Sequence, residues 1–373
     1  MEVFLDNSST TKVLPEVIES MIHSMKNSYG NASSFHSLGI ISEGIIRDAS
    51  KSIMEKINAH SGRIYFTSCG TESNNLAIFG GINLKSVKNI ITSSIEHASV
   101  RNSMIRLKNM GANVVYINPS KDFTLSDGLI EECISEDTHF ISIMHVNNET
   151  GMIFPLEKIS EIRRKKCPKA IFHVDAVQSF GKIPIDVEEL NIDFLSISSH
   201  KVHGPKGVGA LYSSERVKLN PIFFGGSQQN GVRPGTEPVE LISGFRSSVD
   251  LINIDDNFLK VKKLNEYCKN RLFKLERILI NSPHDASPYI INFSVLGLKS
   301  EVLLNFLSER GIYVSSASAC SGGSKSKVLS SVGLDNDIID SAIRVSFSVL
   351  NSFSDVDALL NGIIEAREKL IGF

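Results

Sequence analysis

No apolar run in this 373-residue chain approaches the length needed to cross a membrane, so no membrane-spanning helix is expected. A basic tract is also missing. Lysine and arginine total 39 against 41 acids, a net charge of -2, which argues against nucleic acid as a direct ligand. Cysteine is scarce. Cys69, Cys133, Cys167, Cys268 and Cys320 form no CxxC pair and no metal-ligand spacing, so no metal site is expected; reduced thiols are, one of them reactive. The opening residues MEVFLDNSSTT carry no signal-peptide pattern, and a cytoplasmic protein is expected. No segment repeats, and only 315–327, SSASACSGGSKSK, is compositionally biased.

What is present is a chain 42% hydrophobic, enough for one large core or two unequal domains. A short strand at 3–5 precedes a helix that Pro15 can open, to about 26, and a second helix over 39–58. Strand-like runs near 64–67, 89–92, 113–117, 140–146, 171–174 and 194–198 then alternate with helical patterns near 72–83, 98–109, 125–133 and 156–166. Such alternation predicts an α/β fold, a mostly parallel sheet covered by helices on both faces. A long helix over 238–275, broken near 253–256, leads to a second domain. That domain reads strand 289–294, helix 300–309, strand 313–315, strand 343–347 and helix 354–369.

The chemistry centres on SISSHKVHGPKGVGALY. Lys201 stands at the mouth of a strand, before a turn containing Gly204, Gly207 and Gly209. A lysine there is either a surface charge in a turn or a partly desolvated amine able to hold a carbonyl cofactor, with glycines that let the backbone pass close to a flat ligand. Upstream, IFHVD ends a strand on Asp175, either a turn cap or a ligand contact at a carboxyl strand end. Together the two suit pyridoxal phosphate: the lysine binds its aldehyde and the aspartate keeps its ring nitrogen protonated. Other strand ends add polar groups. Gly70 and Thr71 open a helix, as an ordinary cap or a phosphate site. Ser198 and His200 flank the lysine, His97 follows another strand and could stack on a ring, Asn148 follows a third, and Gln178 lies just past Asp175. The convergence of five polar strand ends is a stronger signal than any one of them.

In FLDNSSTT, YGNASSFHSLG, YFTSCGTESNNLAI, SIEHASV, HVNNETG, HVDAVQSFGKIPID, SISSHKVHGPKGVGALY, GGSQQNGVRPGTEPV, SSASAC and AIRVSFS, nearly the whole chain resembles the pyridoxal-phosphate-dependent cysteine desulfurases of aminotransferase class V, in family order. The resemblance implies a fold-type-I enzyme, with a large cofactor domain over 12–255 and a small α+β domain of 1–11 and 256–373. It implies that Lys201 carries the cofactor as a Schiff base and shuttles protons, and that His97 stacks on the ring and assists acid–base steps. Asp175 would pair the ring nitrogen and Gln178 the phenolic oxygen. Gly70, Thr71, Ser198 and His200 would hold the phosphate, and Asn148 and Arg344 the substrate carboxylate. Thr236 would reach the phosphate of a neighbouring subunit, hence a homodimer. Cys320 would take sulfur from L-cysteine as a persulfide, release alanine, and deliver the sulfur to a cluster scaffold or a tRNA-thiolation enzyme. Its small-residue surroundings resemble the long-loop group, and so few apolar side chains predict a mobile loop. Cys69 and Ser8-Ser9 depart from the family's usual residues; Cys69 reads as a packing substitute. The end, 365–373, lacks the longer tail through which some relatives dock a scaffold. Selenocysteine lyase, another lyase or aminotransferase on this scaffold, and a silent sulfur-transfer partner are the alternatives.

Overall fold

The computed structural model describes residues 2–82, 89–316 and 325–370. Its strands are β1 (Val3–Phe4), β2 (Arg63–Thr67), β3 (Asn89–Ser93), β4 (Asn113–Ile117), β5 (Thr138–Met144), β6 (Ile171–Asp175), β7 (Phe194–Ser198), β8 (Gly209–Ser213), β9 (Ile278–Ile280), β10 (Ile290–Val295), β11 (Ile312–Tyr313), β12 (Ser315–Ser316) and β13 (Ala342–Ser346). Seven of them form a sheet in the order β2-β8-β7-β6-β5-β3-β4. From β7 to β4 every pairing is parallel, whereas β8 runs antiparallel to both β7 and β2. Successive side chains on a strand face opposite ways, and here both ways are apolar. Ile91, Ile141, Phe172 and Leu195 enter one core; their neighbours Ile90, Phe140 and Phe194 enter the core on the other face.

Parallel strands share a direction, so β3, β5, β6 and β7 all end on one edge. β2 ends there too, because its Thr67 pairs with Gly209, which also pairs with Ser198 at the end of β7. That edge is where sheets of this kind bind ligands.

A second sheet, β12-β13-β10-β9, is antiparallel and has its own core with the helices Ile254–Leu272, Ser300–Ser308 and Phe353–Leu370. β1 joins this region by pairing in parallel with β11, and Asp6 bridges to Ser346. The chain then crosses to the large sheet, where Thr11 N–H donates to His200 O at 2.9 Å. Residues 6–9 therefore span the space between the two sheets.

Several elements differ from the sequence reading. The helix expected over 72–83 is α-helical only over Gly70–Asn75, then widens to a π turn over Leu76–Gly80. At its end, a Cβ on Gly81 would stand 2.5 Å from the Phe194 ring, so the helix lies close on the sheet. The break expected in the long helix is present, at 251–253 rather than 253–256: the helix divides into Val239–Asp250 and Ile254–Leu272, and the Asn253 side chain caps the second. β9 and the helices Lys327–Ser331 and Asn336–Asp340 were not expected; three to five residues are too few to show a period. No described helix is long and apolar enough to cross a membrane.

Candidate active site

The carboxyl edge of the large sheet borders a cavity of about 290 Å³. β6 brings Asp175 to it. Val177 N–H donates to Oδ1 at 3.0 Å and Asn74 Nδ2 to Oδ2 at 2.7 Å, so both carboxylate oxygens are oriented. On the adjacent strand, β7 runs into the turn that carries Lys201. Its Nζ donates to the main-chain oxygens of Ser8 and Ser9, the latter at 2.7 Å. The crossing segment 6–9 thus aims the amine. Gln178 follows Asp175 on a turn rather than a helix, and its Nε2 also donates to Ser8 O, at 2.9 Å.

The glycines after Lys201 do not line the cavity, contrary to the sequence reading. They serve packing: a Cβ on Gly209 would lie 2.8 Å from Ile197 O and from Cys69 C. The glycine that does line it is Gly70, where a Cβ would meet Val177 Cγ2 at 2.6 Å and Ser198 Cβ at 3.6 Å. Thr71 lies beside it, and Cys69, half-buried, forms part of the same wall. Ser198 Oγ is buried and has no hydrogen-bond partner among the described residues. An orphan hydroxyl beside a cradle without a side chain fits a phosphate. His200 completes that end. Burial first, then Lys201, Lys206 and Lys182, push its imidazole down to about 4, so it is neutral at physiological pH.

His97 caps the helix Ala98–Asn109. Its Nδ1 accepts Ser99 N–H at 3.2 Å and lies 2.8 Å from Ser99 Oγ. Burial lowers its pKa most; Asp175 opposes this, while Lys201 and Arg101 add to it. From the second sheet β13 contributes Arg344. Its Nη1 donates to Asn148 O at 2.9 Å, and Nη2 to Asp6 Oδ1 at 2.8 Å and Ser9 Oγ at 2.7 Å. Its Nε is buried without a partner among the described residues, a donor left for an anion. Asn148 forms the adjoining wall.

The structure therefore brings Lys201, Asp175, His97, Gln178, Gly70, Thr71, Ser198, His200, Asn148 and Arg344 to one cavity. Thr236 is elsewhere: it is exposed, in a groove with Glu72 and Arg233, which pair at 2.9 Å. Cys320 lies outside the described residues. Sequence reasoning missed three buried groups. Asn74 is the partner of Asp175. Glu96, just before His97, is pushed up to about 8 by burial, with a smaller push from Asp175, although Ser93 Oγ and Met144 N donate to it. Lys182, pushed down to about 7 by burial, then by Lys201 and Arg344, lies 3.3 Å from Gln178 Oε1. No spacing signals a buried acid or amine; only the packed site reveals them. An amine facing a fixed carboxylate, a phosphate cradle and an imidazole at the rim together fit pyridoxal phosphate.

Comparison with known proteins points the same way. The Aminotransferase class-V family model matches residues 3–359. Cysteine desulfurase IscS of Methanosarcina thermophila is 39% identical over 375 residues, covering 99% of this chain and 92% of that protein. A solved NifS-like protein superposes with a TM-score of 0.93 at 34% identity, covering 99% of this chain and 100% of the other. SspA in complex with cysteine superposes at 0.81 with 33% identity, over 92% of this chain and 98% of that one.

Proposed function

The chain belongs to the aminotransferase class-V family as a pyridoxal-phosphate-dependent cysteine desulfurase, and on that premise we propose which of its residues bind the cofactor, hold cysteine and carry the sulfur. Bound pyridoxal phosphate supplies an electron sink that loosens the bonds at the Cα of an amino acid. Lys201 holds it through the amine and moves the proton at the substrate Cα. Asp175 would keep the ring nitrogen protonated, Gln178 would take the ring hydroxyl, and His97 would pack against the ring. Gly70, Thr71, Ser198 and His200 receive the phosphate. The free Nε of Arg344, with Asn148, receives the carboxylate of L-cysteine. The Cys320 thiolate then attacks the substrate sulfur: an S–S bond forms, the C–S bond breaks, its electron pair passes to the carbon side, and protonation gives alanine. The observation that carries this reading is the meeting of Lys201, Asp175 and Arg344, from two sheets, at one cavity.

The same reading makes 12–255 a cofactor lobe and 1–11 with 256–373 a smaller lobe, supported by the separate sheets and the β1–β11 pairing. It makes the enzyme a homodimer, with Thr236 serving the second copy's phosphate. It places the enzyme in the cytoplasm, in keeping with four unpaired thiols among the described residues. A cluster scaffold or tRNA-thiolation enzyme is the proposed acceptor.

The test is Cys320→Ser. The variant should keep the cofactor's absorbance and still perturb it on adding cysteine, but form no persulfide and release no alanine. Mass spectrometry and an alanine assay read the two outcomes. Turnover by the variant, or sulfur carried on Cys69 in the wild type, refutes the assignment.

A further inference from the structure

His97 and Asp175 are joined by a buried chain of hydrogen bonds whose proton positions can be deduced. The Asn74 side chain touches Asp175 Oδ2 at 2.7 Å and Ser99 Oγ at 2.8 Å. An amide oxygen against the carboxylate would set acceptor against acceptor, so Nδ2 must face Asp175 and spend its second hydrogen on Ser99. Ser99 Oγ then accepts from Asn74, and its own hydrogen is directed at His97 Nδ1, 2.8 Å away. Among the described residues Ser99 Oγ has no third partner. The Ser99 main-chain N–H also points at Nδ1, at 3.2 Å. A nitrogen receiving two donors carries no hydrogen itself.

We infer that Asn74 and Ser99 are positioning residues that keep the ring proton of His97 on Nε2 and tie this ring to Asp175. The inference rests on the assignment of both residues to the cofactor ring and sharpens it. His97 is then neutral, with its single N–H at Nε2. Taking up a proton would place N–H against N–H at Nδ1 and turn the Ser99 hydroxyl away from its acceptor. Proton transfer at the substrate Cα accordingly falls to Lys201. The charged groups acting on His97 are Asp175, which favours its protonation, and Lys201 and Arg101, which oppose it; Glu96 is its chain neighbour.

The test is long-range ¹H–¹⁵N NMR on protein labelled at the histidine rings, loaded with pyridoxal phosphate and free of cysteine, with His97→Asn assigning the resonance. We expect His97 neutral, with its proton on Nε2, from about pH 6 to 8. A proton on Nδ1, or an imidazolium in that range, overturns the inference. Ser99→Ala removes a donor that favours the neutral ring, so proton affinity at His97 should rise about tenfold, and Ser99→Thr should restore it. If Ser99→Ala moves neither tautomer nor affinity, the chain does not set His97 and the inference fails. Alanine release is measured separately, so loss of the desulfurase reading and loss of this one are told apart.

Discussion

Arg344 reaches the cavity with Nη1 and Nη2 already engaged by Asn148, Asp6 and Ser9. A lysine would retain the charge but not the planar set of donors that serves these three and still presents Nε. Arg344→Lys should raise the KM for cysteine about tenfold or more, the scale of a charge-assisted hydrogen bond, and lower kcat less. An unchanged KM in steady-state kinetics would mean that another group holds the carboxylate. Glu96 bears on stability instead. Its carboxyl is raised in the fold from 4.5 to about 8. The stability it contributes is complete below about 4.5 and is lost as pH rises through about 8. Glu149, raised to about 7 chiefly by burial, acts in the same direction. Lys182 acts in the opposite sense: lowered from 10.5 to about 7, its contribution is complete above 10.5 and lost as pH falls through about 7. Glu96→Gln should therefore flatten the fall in thermal stability across the upper part of the Glu96 window, by up to a few kcal/mol. Parallel melting curves for variant and wild type from acid to pH 8 would exclude Glu96 as the source.

At the scale of elements, Ser326 makes the clearest test. It begins the helix Lys327–Ser331, accepting Leu329 N–H at 3.0 Å, and donates its own hydroxyl to Glu149 Oε2 at 2.5 Å. One hydroxyl thus fixes a helix start to the buried acid of the HVNNETG turn. Ser326→Ala should cost about 1 kcal/mol, as lost caps do, and push the Glu149 carboxyl further up, since a donor to its charged form is gone. Urea unfolding measures the first. A loss below a few tenths of a kcal/mol would leave Val328 and Leu329 packing as what holds this helix. Elements also divide what could be read from sequence. The parallel strands announced themselves as apolar runs buried on both faces, and their ends bring Asp175 and Ser198, with Lys201 in the turn just beyond, to one cavity. The purpose of Gly209 was misread, because the sequence does not say whether a glycine makes room for a ligand or for Cys69 and Ile197.

For the molecule as a whole, Phe35 and Phe224 are 99% and 89% exposed, and Phe224 shares its groove with Thr236. Phe223, half exposed, adjoins Phe224 in that groove, and such an apolar patch suits an interaction surface. If Thr236 completes the cofactor site of a second copy, cofactor retention should follow dimer concentration. Sedimentation and cofactor absorbance across a dilution series would show them falling together; a monomer that keeps its cofactor would sink the idea. Nearly all of the architecture, and ten residues of the cavity, were legible because each sits at a strand end or carries a role that the family resemblance implies. Asn74, Glu96 and Lys182 were not. Their roles come from which neighbours fold against them, and Asn74 meets Asp175 across 101 positions of chain.

The crossing segment at residues 6–9 has a consequence for the order in which the protein is made. Asp6 and Ser9 leave the ribosome well before their partner Arg344, which lies 338 and 335 positions later. At roughly 5–20 residues per second, the segment that aims Lys201 waits on the order of tens of seconds for the strand that retains it. During that time the strands of the large sheet can already pair, because β2 to β8 all lie before residue 214, while its core still awaits Ile242, Phe245 and Val328. Pairing of the strands can therefore precede the fastening of the segment that aims Lys201.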